Sequence, residues 1–405
     1  MSRPPILFYC QHLLGLGHVQ RSALLARALA RAGERVLFLS GGLAVPGLAL
    51  GGAEEIRLPP LTSADDAAGA VALPDGNPPP LAYLAERRTK LLATLSRWDP
   101  AVVLLELFPF GRHAFSFELG PLLLALADDR ARRGEASPRV VVSLRDIVVS
   151  KKNQPWYEIT VVAVARQWVD RILVHGSPDL IPVSRSFGLA DRLGDALTYT
   201  GYLASSPVPA GDSTPRGEVV ISGGGGRVAG RLFRTAMEAR NLCPRIASLP
   251  WRIITGPYFP TEQRAGLEAM AAGLSSRGDR PDVILESFRE DFPALLAAAA
   301  LSVSQAGYNT VLDILSSGVR AVVVPYEGSG DEQSLRAGHL AERRMLRVVP
   351  EAELSPERLA KAMEEALAAP GFPAKARIDL DGAARSVEIL SGLVDGVIAA
   401  RSGRQ

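Results

Sequence analysis

The chain has 405 residues, comfortable for two domains and long for one. Hydrophobic residues at 47% and charged residues at 22% exclude a disordered chain. The 43 acids nearly cancel the 45 Lys and Arg, which excludes nucleic-acid binding driven by overall charge.

An apolar run, Ile6–Cys10, predicts a buried parallel strand. Gly15-Leu16-Gly17-His18 follows as a glycine turn. The spacing of Leu25, Ala28, Leu29 and Ala32 predicts a helix from Val19 to Ala32, stopped by Gly33. Arg35–Leu39 is the next strand, which completes a β-α-β unit. Pro59–Pro80 reads as loop. Predicted helices over Leu81–Arg97, Phe115–Arg130 and Pro155–Val169 then alternate with strands Ala101–Glu106, Val140–Leu144 and Arg171–His175, and a short strand closes at Tyr199-Thr200-Gly201.

Ala204–Gly217 is rich in Pro, Ser and Gly and reads as a linker. Beyond it the alternation restarts. Strands are predicted at Glu218–Ser222, Trp251–Thr255, Val283–Glu286, Leu301–Ser304 and Ala321–Pro325. Helices are predicted at Gly230–Asn241, Gln263–Ala272, Phe292–Ala299, Thr310–Ser317, Asp331–Arg343, Ser355–Ala368 and Ala383–Ala400. The expected architecture is α/β, with two Rossmann-like doubly wound domains facing a cleft. The first would span residues 1–203 and the second 218–382, joined by linker 204–217, with a terminal helix in 383–405 packing back on the first domain.

Candidate functional residues cluster at strand carboxyl ends. Ser222, Gly223, Gly224, Gly225 and Gly226 follow a strand directly, and glycine lets backbone N–H groups approach a phosphate. The plain alternative is a flexible turn. In Ser304-Gln305-Ala306-Gly307-Tyr308-Asn309-Thr310, Gly307 is expected to permit a tight turn ahead of a helix. Asp313, one turn further, can reach a ribose diol or simply face solvent. Asp331 and Gln333 open another helix, where they can meet sugar hydroxyls or, for Asp331, act as an N-cap.

In the first half, Gly17 and His18 sit at a strand-to-helix turn. Glu106 ends a strand ahead of Leu107–Arg112, and Arg145-Asp146 end another. Glu106 and Asp146 are candidate site acids, or structural acids paired with Arg112 or Arg145. Asp379-Leu380-Asp381 spells the DxD of metal-dependent sugar transfer, but it precedes a helix and reads as capping, so no metal site is expected. Two distant cysteines, Cys10 and Cys243, give no disulfide framework or zinc motif and fit a reduced, cytoplasmic setting. The N-terminal apolar run, broken by His12, lacks the form of a signal peptide, and no later stretch is long enough to span a bilayer.

These motifs resemble the GT-B glycosyltransferases, and most of all the MurG-type family, which adds N-acetylglucosamine to a lipid-linked cell-wall precursor. The likeness is strongest over Leu301–Val349, where SQAGYNTVLDILSSGVRAVVVPYEGSGDEQ is similar to the family's S-x-x-G-x-x-T-x-x-E…D-x-Q signature. The resemblance implies that Gly307 and Thr310 bind a diphosphate, that Asp313 replaces a ribose-binding Glu, and that Gln333 contacts the donor sugar. Phe288 falls at the end of the segment where the family reads uracil, by position alone. Gly15–His18 is similar to the tail of the family's first glycine loop, with one glycine fewer.

The resulting expectation is an inverting, metal-independent transferase that uses a nucleotide-diphosphate sugar, with UDP implied by the resemblance and no other cofactor. The donor would be held by Ser222, Gly223, Gly224, Gly225, Phe288, Ser304, Gly307, Asn309, Thr310, Asp313, Asp331 and Gln333. His18 is the first candidate base, at an ordinary pKa of about 6.5 that needs little tuning, and Glu106 the second. Gly17, Arg112, Arg145 and Asp146 would lie on the acceptor side. The acceptor would be a small molecule or lipid-linked, met at a membrane surface without nucleic acid. A UDP-sugar 2-epimerase and a catalytically inactive binding partner of the same fold are the alternatives.

Overall fold

The computed structural model describes residues 3–13, 17–45, 47–64, 70–204, 217–274, 283–328, 330–369 and 378–403. The chain divides into two units, residues 1–203 together with 379–405, and residues 204–378. Asp379–Gly382, which the sequence reading gives to the second domain, therefore lie with the first unit. Most of the expected linker, 205–216, lies outside the described residues, as do Gly15 and Leu16.

In the first unit, β1 (Ile6–Cys10), β2 (Val36–Ser40) and β3 (Glu54–Arg57) are followed by a small antiparallel hairpin of β4 (Thr62–Ser63) and β5 (Val71–Ala72). Then come β6 (Val102–Glu106), β7 (Arg139–Arg145), β8 (Arg171–His175) and β9 (Leu197–Tyr199). Among the described residues the main sheet is parallel, in the order β3-β2-β1-β6-β7-β8-β9. Strand order reverses between β1 and β6, the place where parallel sheets of this kind open a crevice beyond their carboxyl ends. Tyr9 pairs with Leu105 there, so residues following Cys10 and Glu106 emerge side by side.

Helices α1 (Gly17–Arg31), α2 (Leu81–Trp98), α3 (Ser116–Arg133) and α4 (Gln154–Trp168) connect these strands. Alternate residues of β1 serve opposite faces, as strand geometry requires. Ile6, Phe8 and Cys10 pack in one cluster with Leu25, Ala26 and Leu29 of α1. Leu7 and Tyr9 pack on the other face with Leu91 of α2 and Leu119 and Leu122 of α3. The buried stripe of α1 is Arg21, Ser22, Leu25, Ala26 and Leu29, with Ala32 exposed, so the helix is rotated from the expected Leu25-Ala28-Leu29-Ala32 face.

A fully buried ion pair fixes the carboxyl ends of β1 and β2. Arg87 donates through Nε to Glu118 at 2.8 Å and through Nη1 to the carbonyl of Gly41 at 2.8 Å. Its Nη2 reaches Gln11 at 2.5 Å, and Tyr9 donates its hydroxyl to Glu118 at 2.5 Å. Every charge here has a partner, the condition under which burial of an ion pair is tolerable.

The second unit contains β10 (Glu218–Ser222), β11 (Trp251–Ile254), β12 (Val283–Glu286), β13 (Ala299–Ser304), β14 (Ala321–Val323) and β15 (Arg347–Val348). Among the described residues they form a parallel sheet in the order β12-β11-β10-β13-β14-β15. Helices α5 (Gly230–Ala239), α6 (Thr261–Leu274), α7 (Phe292–Ala298), α8 (Tyr308–Ser317), α9 (Glu332–Glu342) and α10 (Pro356–Ala368) intervene. Ser355 caps α10 by accepting the Arg358 N–H at 3.2 Å. The reversal of strand order falls between β10 and β13, whose last residues, Ser222 and Ser304, stand opposite each other. The last helix, α11 (Gly382–Ser402), returns to the first unit, where Leu390, Val394 and Val397 enter the cluster of β1 and α1.

Candidate active site

In the second unit, two ligand-type turns meet at the β10–β13 reversal. The turn after β10 holds Gly224 at φ +57° and Gly226 at φ +87°, backbone that disfavours any side chain. A Cβ on Gly226 would lie 2.0 Å from the Thr255 carbonyl oxygen, so this glycine serves close packing against the end of β11. Gly226→Ala is therefore expected to destabilise the protein by about 2–5 kcal/mol, the sum of left-handed strain and overpacking. Thermal unfolding of the purified variant measures it. A Cβ on Gly224 would instead sit 3.9 Å from the Thr310 hydroxyl, which places the glycine turn directly against α8.

Gly307 is the N-cap residue of α8 at φ −63°, ψ 148°. This is extended backbone open to any residue, so the expected tight turn does not explain the glycine. A Cβ there would meet no heavy atom within 4 Å, so neither conformation nor internal packing demands a glycine. What its absent side chain leaves uncovered is the start of α8, where the backbone N–H groups of the first turn point toward the helix N-terminus. The Ser222 and Ser304 hydroxyls are buried beside this point without a hydrogen-bond partner among the described residues. Buried hydroxyls left this way are costly unless something else satisfies them.

Asp313 is half-buried one turn into α8, and burial alone raises its carboxyl to about 7. Gln333 accepts the N–H groups of Ala306 and Tyr326, both at 3.0 Å, through the same oxygen. It thereby ties together the loops after β13 and β14, and only its amide N–H groups remain to reach a sugar. Asp331 occupies the N-cap position of α9 without making a side-chain cap. Phe288, just past β12, is 60% exposed, and the preceding Ser287 carbonyl accepts Gly256 N–H at 3.0 Å. Arg336 was not signalled by the sequence reading. It is buried, donates to the Ala306 carbonyl at 3.1 Å and lies under the Tyr308 ring at 5.5 Å, bracing the entry to α8.

In the first unit, His18 lies in the first turn of α1, beside an exposed Gly17. Its Nδ1 is 2.5 Å from Oε1 of the fully buried Glu106. Arg21 donates to the same oxygen at 2.9 Å, and Arg112 reaches Oε2 through Nε at 3.2 Å. Burial opposes the charge on Glu106, but His18, Arg112 and Arg21 together hold its carboxyl well below the usual carboxylate range. An ionised carboxylate only accepts, so Nδ1 of His18 carries the proton and Nε2 keeps its lone pair. Burial drives the imidazole down to about 3, with Arg145 and Arg112 assisting against Glu106. His18 is thus neutral at pH 7, though not by the ordinary value expected of it. Glu106, the second candidate base, has both oxygens occupied by donors and orients His18 instead.

Leu107 and Arg112 bracket the segment after β6 at φ +67° and +62°. Such strain costs about 1–3 kcal/mol per residue and concentrates where geometry must be held. Here it turns Arg112 back onto Glu106. Arg145, register partner of His175, acts on His18 through its charge, and Asp146 is buried with its Cβ against Gly176. Asp379 pairs with Arg385 and accepts the Asp381 N–H, while Asp381 stands at the N-cap position of α11 without a side-chain cap. Among the described residues no group of three His, Cys, Asp or Glu could hold a metal ion, and no helix is long and apolar enough to cross a membrane.

Two parallel α/β units with these strand orders define the GT-B glycosyltransferase fold. The chain superposes on the calicheamicin glycosyltransferase CalG4 with a TM-score of 0.62 at 16% identity, covering 98% of this chain and 99% of that one. It superposes on Acinetobacter baumannii MurG with a TM-score of 0.60 at 16% identity, covering 96% and 100%. Residues 223–385 match the glycosyltransferase family 28 C-terminal domain.

One curated relative is the UDP-N-acetylglucosamine--N-acetylmuramyl-(pentapeptide) pyrophosphoryl-undecaprenol N-acetylglucosamine transferase of Methylobacterium sp. strain 4-46. It is 27% identical over 190 residues, 45% of this chain and 50% of its own length. The enzyme of the same name from Corynebacterium efficiens is 30% identical over 126 residues, 31% and 34%. The chain spans half or less of the length of these two relatives.

Proposed function

We propose that the protein transfers a sugar from a nucleotide-diphosphate sugar, UDP-linked as the relatives' names suggest, to an acceptor hydroxyl with inversion. The observation that carries this reading is the meeting of the Gly224 turn with the uncovered start of α8, with Asp313 one turn further on. The diphosphate would take the N–H groups at the start of α8 and of the glycine turn, and Asp313 would accept the ribose hydroxyls. No metal is needed where helix amides and oriented backbone dipoles stabilise the departing charge.

His18 is the proposed base. Its Nε2 takes the acceptor proton as the acceptor oxygen bonds to the anomeric carbon. The bond from that carbon to the diphosphate breaks on the opposite face, and the nucleoside diphosphate leaves with the electron pair. Glu106 holds the tautomer and stabilises the imidazolium as it forms. The acceptor is proposed to be a small molecule or a lipid-linked compound, met on the cytoplasmic side of a membrane.

The test is release of nucleoside diphosphate from purified protein, UDP-sugar and a panel of hydroxyl acceptors, with product anomer read by NMR. Turnover is expected to survive EDTA. Loss with EDTA and recovery with magnesium would defeat metal independence, and a 2-epimer formed without acceptor would replace transfer by epimerisation.

A further inference from the structure

Resting on the reading of His18 as the base, we propose that Arg21 is a positioning residue for it, acting through Glu106. Arg21 and His18 stand three residues apart on α1, so they share one helix face. Both end on the same carboxylate oxygen, Oε1 of Glu106, at 2.5 Å from His18 and 2.9 Å from Arg21. Arg21 is 3% exposed, a guanidinium sunk into the apolar stripe that runs on through Leu25 and Leu29.

The surroundings of Arg21 are fixed. On β8, His175 contacts Ser143 Oγ through Nε2 at 2.8 Å and Thr200 Oγ1 through Nδ1 at 3.0 Å. The Thr200 hydroxyl donates to the Gly201 carbonyl at 2.9 Å, so it accepts from Nδ1, and Ser143 donates to Nε2. His175 is therefore a neutral spacer with both nitrogens engaged, and burial together with Arg21 holds it well below its ordinary value. On β1, burial and Glu106 push the Cys10 thiol up to about 12. His12, beyond β1, is depressed by burial and by Arg112. With Glu106 held ionised, His18 is the group of this cluster whose charge changes during a reaction, and Arg21 competes with it for the same Glu106 oxygen.

The consequence is specific. Without the Arg21 charge, Glu106 draws a proton onto His18 more strongly, and the base is lost at low pH. With lysine the charge returns although the fork does not.

The experiment uses the full-length protein with labelled histidine. NMR follows the His18 ring, identified by its loss in His18→Gln, alongside the pH profile of kcat at saturating donor. In wild type, His18 is expected to stay neutral down to pH 5. In Arg21→Met its titration should rise by about 1–3 units, and the acidic limb of the profile should move with it. Turnover should fall at least about tenfold, as for a base left unpositioned, with nucleotide affinity unchanged. Arg21→Lys should restore the titration and part of the turnover.

A folded Arg21→Met protein with wild-type His18 titration and pH profile overturns the proposal. Should Arg21→Met not fold, the pair Glu106→Gln and Glu106→Gln/Arg21→Met decides, since the double change removes both buried charges together. Equal His18 titrations in that pair support action through Glu106, and a further shift on losing Arg21 overturns it. Because the NMR arm needs no substrate, absence of sugar transfer by wild type alongside a shifted His18 would sink the reaction while supporting the Arg21–Glu106–His18 linkage.

Discussion

His18→Ala is expected to lower turnover by about 10²–10⁴-fold while nucleotide-sugar affinity stays within a factor of two or so, since a positioned general base contributes that much to the chemical step. The residue belongs to the first unit and the diphosphate-type turns to the second, so the two effects separate. Calorimetric titration with UDP and steady-state kinetics with a saturating donor are the measurements. Because His18 is depressed to about 3, wild-type activity should show no acidic limb of its own between pH 6 and 8. Loss of UDP binding with turnover number intact would make His18 a phosphate ligand instead.

The second large effect is expected at Asp313. Removing its carboxylate in Asp313→Ala takes away a charged hydrogen-bond acceptor worth about 1.5–3 kcal/mol, which is roughly a tenfold or greater loss of UDP-sugar affinity. Wild-type affinity should also rise with pH. The carboxyl titrates at about 7, and its ionised form is the stronger acceptor for ribose hydroxyls. A UDP-sugar is the right probe, because its diphosphate does not titrate in this range. The stability effect runs the other way. A carboxyl raised above its ordinary 3.8 favours the fold while protonated, and this contribution is lost as pH climbs from about 4 through 7. Asp313→Asn should therefore gain stability over wild type at pH 8 and match it below pH 4, read by thermal unfolding. Unchanged UDP-sugar affinity in Asp313→Ala would remove this residue from the site.

The parallel strands were legible because each is a short apolar run followed by glycine or a polar turn, as in Ile6–Cys10 and Glu218–Ser222. Strands without that signature escaped. Glu54–Arg57 reads EEIR and sits half-exposed at a sheet edge, while the hairpin strands Thr62–Ser63 and Val71–Ala72 are too short to show a period. In the site, glycine turns announce themselves locally, whereas the His18–Glu106 contact joins residues 88 apart and has no local pattern. For Gly307 the residue was found but its reason was wrong, since a sequence does not show φ. Arg21 did leave a signal, a charge on the buried stripe of α1. Arg336 left a weaker one, sitting four residues after Glu332 with which it pairs at 2.8 Å.

The placement of α11 has a consequence for biosynthesis. Leu390, Val394 and Val397 share a core with Leu25 and Leu29, side chains more than 350 residues apart in the chain. When the first 203 residues have left the ribosome, the sheet they encode still has one flank bare, and the whole of 204–378 emerges before the covering helix does. The nascent chain thus carries an unfinished apolar face while residues 204–378 are made, the sort of surface that chaperones hold. A premature stop codon just before α11 would uncover the core of β1 and α1, far upstream of the lesion.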